Sequence, residues 1–155
     1  VISTEAADSI REAIKDAVSK GAKCAIDESI FPESKSGTAY VSPQILLSVN
    51  DSMKIVNDEV FGPVMAIIPV ASDEEAIKAI NKSKYGLTAS VWTKDSSILD
   101  SLAKDLEVGT VYMNRCDYLD PALAWIGIKN SGKGAALSEF GFNSFTRLQS
   151  RHYRL

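Results

Sequence analysis

The sequence predicts an α/β fold: a twisted parallel sheet with flanking helices, followed by a C-terminal extended strand. Two observations carry this. From residue 64 onward, short apolar runs alternate with amphipathic helical stretches, an order that builds parallel strands joined by right-handed crossovers. After residue 143 the pattern changes to an apolar/polar alternation with no local partner, the mark of a strand that must pair elsewhere.

The elements follow in order. Ser3 or Thr4 can cap a helix running to about Lys20, with Ile10, Ala13, Ile14, Ala17 and Val18 on one face. Lys20-Gly21 supplies the stop, a cation near the negative helix end and then a glycine able to take positive φ. Cys24-Ala25-Ile26 reads as a short buried strand. Residues 27–37, with Pro32, three serines and Gly37, read as a surface excursion. Residues 39–49 are strand-like, with Pro43 arguing for an edge or a break. Residues 52–56 lead into Asn57-Asp58-Glu59-Val60-Phe61-Gly62-Pro63-Val64, an irregular segment turned by Gly62-Pro63.

Residues 64–70 form a continuous apolar run, as expected of a strand covered on both faces. Ser72-Asp73-Glu74-Glu75 is a capping box, and its helix directs Ala76, Ile77 and Ile80 inward. Tyr85-Gly86-Leu87 turns the chain into a strand over 89–93. Asp95 caps a helix with Ile98, Leu99, Leu102, Ala103 and Leu106 on one face. A third strand spans 109–114. Glycines 127, 132, 134 and 141 then punctuate a stretch too broken for a long helix. The domain reading is 1–143 as one α/β unit and 144–155 as a terminal strand.

The 155 residues allow one sizeable core, and 45% hydrophobic with 24% charged residues is ordinary for a globular chain. A net charge of -3 with scattered lysines argues against nucleic acid. No apolar run approaches the ~20 residues of a membrane helix. The start, Val1-Ile2-Ser3-Thr4, has no leader features and reads as the middle of a longer protein. Two distant cysteines, Cys24 and Cys116, point to a reducing, intracellular and cytoplasmic compartment rather than a disulfide framework. A single histidine, His152, argues against a His-based metal site.

Four motifs occur in order: Asn57–Val64; Tyr85-Gly86-Leu87; Gly109-Thr110-Val111-Tyr112-Met113-Asn114; and Trp125-Ile126-Gly127-Ile128-Lys129-Asn130-Ser131-Gly132. Together they resemble the aldehyde dehydrogenase superfamily, whose E-F-G-P-V, Y-G-L, G-x-V-x-x-N and F-G-G-x-K-x-S-G segments keep the same order. The resemblance covers nearly the whole chain. It implies the C-terminal part of a catalytic domain plus an oligomerisation tail. The implied parent oxidises an aldehyde to a carboxylic acid through a cysteine thiohemiacetal and passes hydride to NAD or NADP. The family's nucleophile, base and oxyanion donor lie N-terminal to the matched region, so no catalytic residue is expected here.

The resemblance assigns roles residue by residue. Glu59 matches the carboxylate that grips the ribose hydroxyls beside the nicotinamide, a bidentate task suited to two oxygens. Phe61 matches the aromatic against the nicotinamide end, a role compatible with ordinary packing. Leu87 borders the same space. Trp125 matches an aromatic lining the aldehyde pocket, and reads equally well as a core tryptophan. Cys24, in a buried strand, and Cys116, after Arg115, are expected to be structural, since a nucleophilic thiol needs a lowered pKa and partial exposure. The family's F-G-G is here Trp125-Ile126-Gly127, so a glycine is lost where backbones approach closely. Ala136 stands where many members carry a glutamate implicated in proton relay, and alanine cannot move a proton. Partners implied are a small-molecule aldehyde and further copies of the chain, joined through the terminal strand. The competing reading is a non-catalytic, dehydrogenase-derived assembly module.

Overall fold

The computed structural model describes residues 1–116 and 118–154. The chain divides into two units, Val1–Val70 and Ala71–Leu155.

The first unit is built on helix α1, Thr4–Ser19. Ser3 is the expected cap, its Oγ accepting from the Ala6 N–H at 3.1 Å. Gly21, at φ 103°, ends the helix in the left-handed region. Ala7, Ile10, Ala13, Ile14 and Ala17 form the buried stripe. Three short strands follow: β1 (Lys23–Cys24), β2 (Gln44–Leu47) and β3 (Val64–Ala66). β2 is central, antiparallel to β1 and parallel to β3 with Gln44 opposite Val64. A short helix, α2 (Lys54–Asn57), precedes the Asp58–Pro63 loop. Ile10, Ile14, Ala17, Ala22, Leu46, Val49 and Met53 make one core, joined by Val60 and Val64 from the loop's two ends. A fully buried side chain such as Leu46 contributes roughly 1.5–3 kcal/mol.

The excursion after β1 is held rather than loose. Arg11 of α1 donates through one guanidinium nitrogen to the carbonyls of Lys35, Thr38 and Tyr40 at 2.8, 3.0 and 2.7 Å. Gln44 is buried and satisfied: Oε1 accepts from Ile26 N–H at 2.9 Å and Ile45 N–H at 3.0 Å, and Nε2 donates to the Ile26 carbonyl at 3.0 Å.

In the second unit, α3 (Asp73–Asn81) begins at Ser72, whose Oγ accepts from Glu75 N–H at 3.3 Å, while Glu75 Oε2 accepts from Ala71 N–H at 2.8 Å. The reciprocal bond thus reaches one residue before the cap. β5 (Thr88–Val91) and β6 (Thr110–Met113) run parallel, joined through α4 (Ser96–Ala103), which Asp95 caps. This is the parallel unit the alternation predicts. The antiparallel ladders are additions to that reading. β4 (Tyr85–Gly86) pairs with β8 (Ile128–Lys129), and β7 (Trp125–Ile126) with β9 (Ala135–Ala136).

The family-like motifs of this unit are tied to one another by hydrogen bonds. Ser131 Oγ accepts from the Gly86 N–H at 3.0 Å, linking Tyr85-Gly86-Leu87 to the Lys-x-Ser-Gly segment. Lys129 Nζ donates to the carbonyls of Asn81 at 2.7 Å and Ser83 at 3.1 Å, and pairs with Glu107 at 2.7 Å. Asn114, at φ 53°, bridges to Thr93 in both directions, accepting at 2.9 Å and donating at 2.7 Å.

Several expectations are corrected. The 64–70 run is a strand only over Val64–Ala66, with Met65, Ile67, Ile68 and Val70 all exposed. β3 is an edge strand of its sheet, so one flank has no neighbour among the described residues. Cys24 is exposed rather than buried, because β1 is two residues long and lies at the other edge. Val18, Ile80 and Ile98, expected inward, are exposed. Each lies in the first or last turn of its helix, where a single apolar stripe has least cover. Phe145 closes a 3₁₀ segment, Glu139–Phe145, instead of opening a strand. Residues 146–154 join no ladder among the described residues, and Phe145, Leu148 and Tyr153 are exposed. No helix among the described residues is long and apolar enough to cross a membrane.

Candidate functional site

The Asp58–Pro63 loop is short and braced at both ends. Asp58 N–H donates to Lys54 O at 2.8 Å, closing α2, and Gln44 N–H donates to Pro63 O at 2.8 Å, docking the loop's far end on β2. Two tight bonds lie between, Gly62 N–H to Val60 O at 2.9 Å and Val64 N–H to Gly62 O at 2.8 Å. Asn57 Nδ2 donates back to the carbonyls of Asp51 and Met53 at 2.7 and 3.0 Å. Val60 turns into the core. Gly62 lies on Ile10 so closely that a Cβ there would overlap the isoleucine Cδ1. With Val60 inward and Gly62 against α1, the loop presents Glu59 and Phe61 outward.

Both are exposed, Phe61 at 82%. Leaving a phenyl ring so bare beside a carboxylate costs apolar burial that a partner surface would recover. Among the described residues no donor is paired with the Glu59 carboxylate. The two side chains line one cleft of about 390 Å³, walled by α1 through Ala6, Ser9, Ile10 and Ala13 and by Lys54 of α2. The helical wall was missed in the sequence, where the i, i+3, i+4 pattern assigns α1 to the core and says nothing about what its rim borders.

The other two sequence-predicted residues lie in the second unit. Trp125, on β7, is half-buried and lines a pocket of about 180 Å³ with Thr110, Tyr112, Met113, Arg115, Leu123 and Leu137. Leu87 lies between β4 and β5, exposed at 40%, and is not on that pocket's wall. Ala136 sits directly across the ladder from Trp125. The close approach foreseen at the altered Trp125-Ile126-Gly127 segment is met from the residue that leads into β6. A Cβ on Gly109 would overlap the Ile126 carbonyl oxygen, so Gly109 supplies the space and Ile126 keeps its side chain.

Neither cysteine is placed as a nucleophile. Partial desolvation, with the Glu28 carboxylate beside it, holds the Cys24 thiol above its ordinary pKa, the wrong direction for a thiolate. Cys116 is exposed, and the guanidinium of its neighbour Arg115 is stacked on Tyr118 at 3.8 Å from the ring centre. Among the described residues no group of three or more His, Cys, Asp or Glu could hold a metal ion.

Comparison with known proteins gives the family. The model of the aldehyde dehydrogenase family matches residues 1–150. A probable betaine aldehyde dehydrogenase of Schizosaccharomyces pombe is 32% identical over 96% of this chain and 29% of its own length. An NADP-dependent glyceraldehyde-3-phosphate dehydrogenase of Streptococcus equinus is 36% identical over 97% of this chain and 30% of its own. The solved structure of an indole-3-acetaldehyde dehydrogenase with NAD+ superposes at a TM-score of 0.88, with 33% identity, covering all of this chain and 31% of that one. The chain thus spans about three-tenths of the length of these relatives. With the four motifs in order and the family model matched over residues 1–150, the chain belongs to the aldehyde dehydrogenase family.

Proposed function

We propose that this chain is the C-terminal part of the catalytic domain of an NAD(P)-dependent aldehyde dehydrogenase, contributing the cofactor-side loop and one wall of the aldehyde pocket. The observation that carries the reading is the braced loop holding Glu59 and Phe61 outward on one cleft. The residues fit the nicotinamide–ribose end of a dinucleotide: an unpaired carboxylate suits two adjacent hydroxyls, and a bare flat ring suits a flat heterocycle. Bound NAD or NADP would supply the hydride acceptor. In the first unit Glu59 holds the ribose and Phe61 packs beside the ring; in the second unit Leu87 is the cofactor-side residue and Trp125 shapes the pocket for the aldehyde. The nucleophile and base come from outside these residues, and the chain alone carries no catalytic residue. Two exposed free cysteines fit a reducing, intracellular setting.

Glu59→Gln in the full-length protein is the test. Removing one charge-assisted hydrogen bond costs roughly 1.5–3 kcal/mol, about ten- to 150-fold in rate if it acts at hydride transfer. Single-turnover kinetics should show slowed hydride transfer, with cofactor Kd changed far less, because the residue orients only the nicotinamide half. Unchanged turnover would reduce Glu59 to a surface acid.

The tail supports a second element of the same proposal: the protein is a homo-oligomer joined through residues 144–155. Phe145 and Leu148 are almost fully exposed, at 89 and 98%, and the backbone beyond Thr146 joins no ladder among the described residues. Unpaired extended backbone with apolar side chains is satisfied by a neighbouring sheet. Truncating the full-length protein after Asn143 should lower its mass in light scattering to that of a smaller assembly while circular dichroism is retained. A native mass after truncation would exclude the tail as the joint.

A further inference from the structure

We propose that Arg115 determines substrate specificity in the Trp125 pocket by selecting aldehydes whose far end carries an anion, a carboxylate or a phosphate. The inference rests on the dehydrogenase reading above and names the substrate class of that pocket.

Three observations place the cation. The pocket is mostly aromatic and aliphatic, with Tyr112, Met113, Leu123 and Trp125 in its wall, and Arg115 is its sole lining cation among the described residues. The guanidinium carbon sits over Tyr118, 3.8 Å from the ring centre. A guanidinium stacked by its face still has edge N–H donors, which can receive a carboxylate or phosphate in two parallel hydrogen bonds. The two residues are also tied to the sheet. Tyr112 of β6 donates its hydroxyl to the Tyr118 carbonyl at 2.7 Å, and Ser90 of β5 donates its hydroxyl to the Arg115 carbonyl. The backbone of both residues is therefore anchored to the parallel pair β5–β6 before any ligand arrives, which lowers the ordering cost of binding.

Asp120, the acid on the same wall, is turned onto its own loop, where Oδ1 accepts from the Ala122 N–H at 2.9 Å and the Asp120 carbonyl accepts from Leu123 N–H at 3.0 Å. It caps a turn, while Arg115 supplies the positive charge of the wall. A cation at the far end of a substrate would meet like charge, so quaternary ammonium aldehydes are disfavoured.

The test uses the full-length protein with three aldehydes: succinic semialdehyde (anionic), propanal (neutral) and betaine aldehyde (cationic). The unsubstituted protein should favour succinic semialdehyde in kcat/KM, and added salt should raise KM for it and not for propanal. Arg115→Gln should lower kcat/KM for succinic semialdehyde about tenfold or more relative to propanal and raise that for betaine aldehyde relative to propanal. Arg115→Lys, which keeps charge without the planar fork, should fall between. Equal losses on succinic semialdehyde and propanal, or salt-independent KM in the unsubstituted protein, would overturn the proposal. The salt series decides the matter even if a variant misfolds. Oxidation of propanal without an anion preference sinks this inference alone, whereas oxidation of none of the three sinks the dehydrogenase reading and this with it.

Discussion

Gly109→Ala should destabilise the second unit severely, by about 3 kcal/mol or more at the upper end of overpacking costs. The added methyl would overlap the Ile126 carbonyl oxygen, with the carbonyl carbon also in contact at 2.5 Å. The obstacle is backbone, not the end of a flexible side chain, so no rotamer change relieves it. Ile126 is also locked by β7–β9 pairing, opposite Ala135. Its neighbour Gly127 leads directly into β8, which holds Gly86 in register with Ile128. Moving Ile126 away from residue 109 therefore strains two ladders together. The pocket would suffer as well, since Trp125 precedes Ile126 and Thr110 follows Gly109 on the pocket wall. Thermal unfolding of the chain should show a fall of many degrees in Tm, and full-length enzyme carrying the change should express poorly or lose activity. A native-like melting curve for the variant would mean that the approach relaxes without cost.

Gln44→Leu is expected to cost the first unit about 3 kcal/mol, by leaving part-buried backbone groups without that partner. The leucine is similar in size, so the loss is not one of volume. Gln44 satisfies the N–H and the C=O of Ile26 and a third group, the Ile45 N–H, from a side chain 2% exposed. Removal leaves groups without that partner, each costing about 1–3 kcal/mol where water cannot reach. The consequence reaches function because Gln44 also opens β2, and its backbone N–H holds the Pro63 carbonyl at 2.8 Å. Loosening that position frees the end of the loop that carries Glu59 and Phe61. Denaturant unfolding of the chain should give a lower midpoint at unchanged slope, and hydrogen exchange should speed up at residues 26, 45 and 64. Wild-type stability in Gln44→Leu would show that water or a backbone shift replaces all three bonds.

Much of this protein is written in local sequence. Ser3, Ser72 and Asp95 announce their helices because a capping oxygen must sit next to the amides it satisfies. Gly21 announces a helix end because left-handed backbone is strained for other residues. The strand–helix–strand order over 88–113 is enough to set β5 parallel to β6, since a helical crossover returns the chain in the same direction. Glu59, Phe61 and Trp125 are legible as candidates only through their motifs, because an exposed acid or aromatic has no periodicity of its own.

Tertiary structure decided what depends on residues far apart in the chain. Burial of the 64–70 run was misjudged because apolar composition states a preference, while cover is set by strand order, and β3 lies at an edge. Cys24 failed as a buried residue for the same reason. Gln44, a polar side chain in a strand, gives no sign that its partners lie eighteen positions earlier at Ile26. The space that Gly109 leaves for the Ile126 carbonyl, and the anchoring of the Arg115 and Tyr118 backbone by Ser90 and Tyr112, likewise arise only in the folded chain. Caps and turns are contacts between near neighbours and can be read in one dimension. Cover, close approach and backbone anchoring are contacts between distant ones, and for this chain the fold alone supplied them.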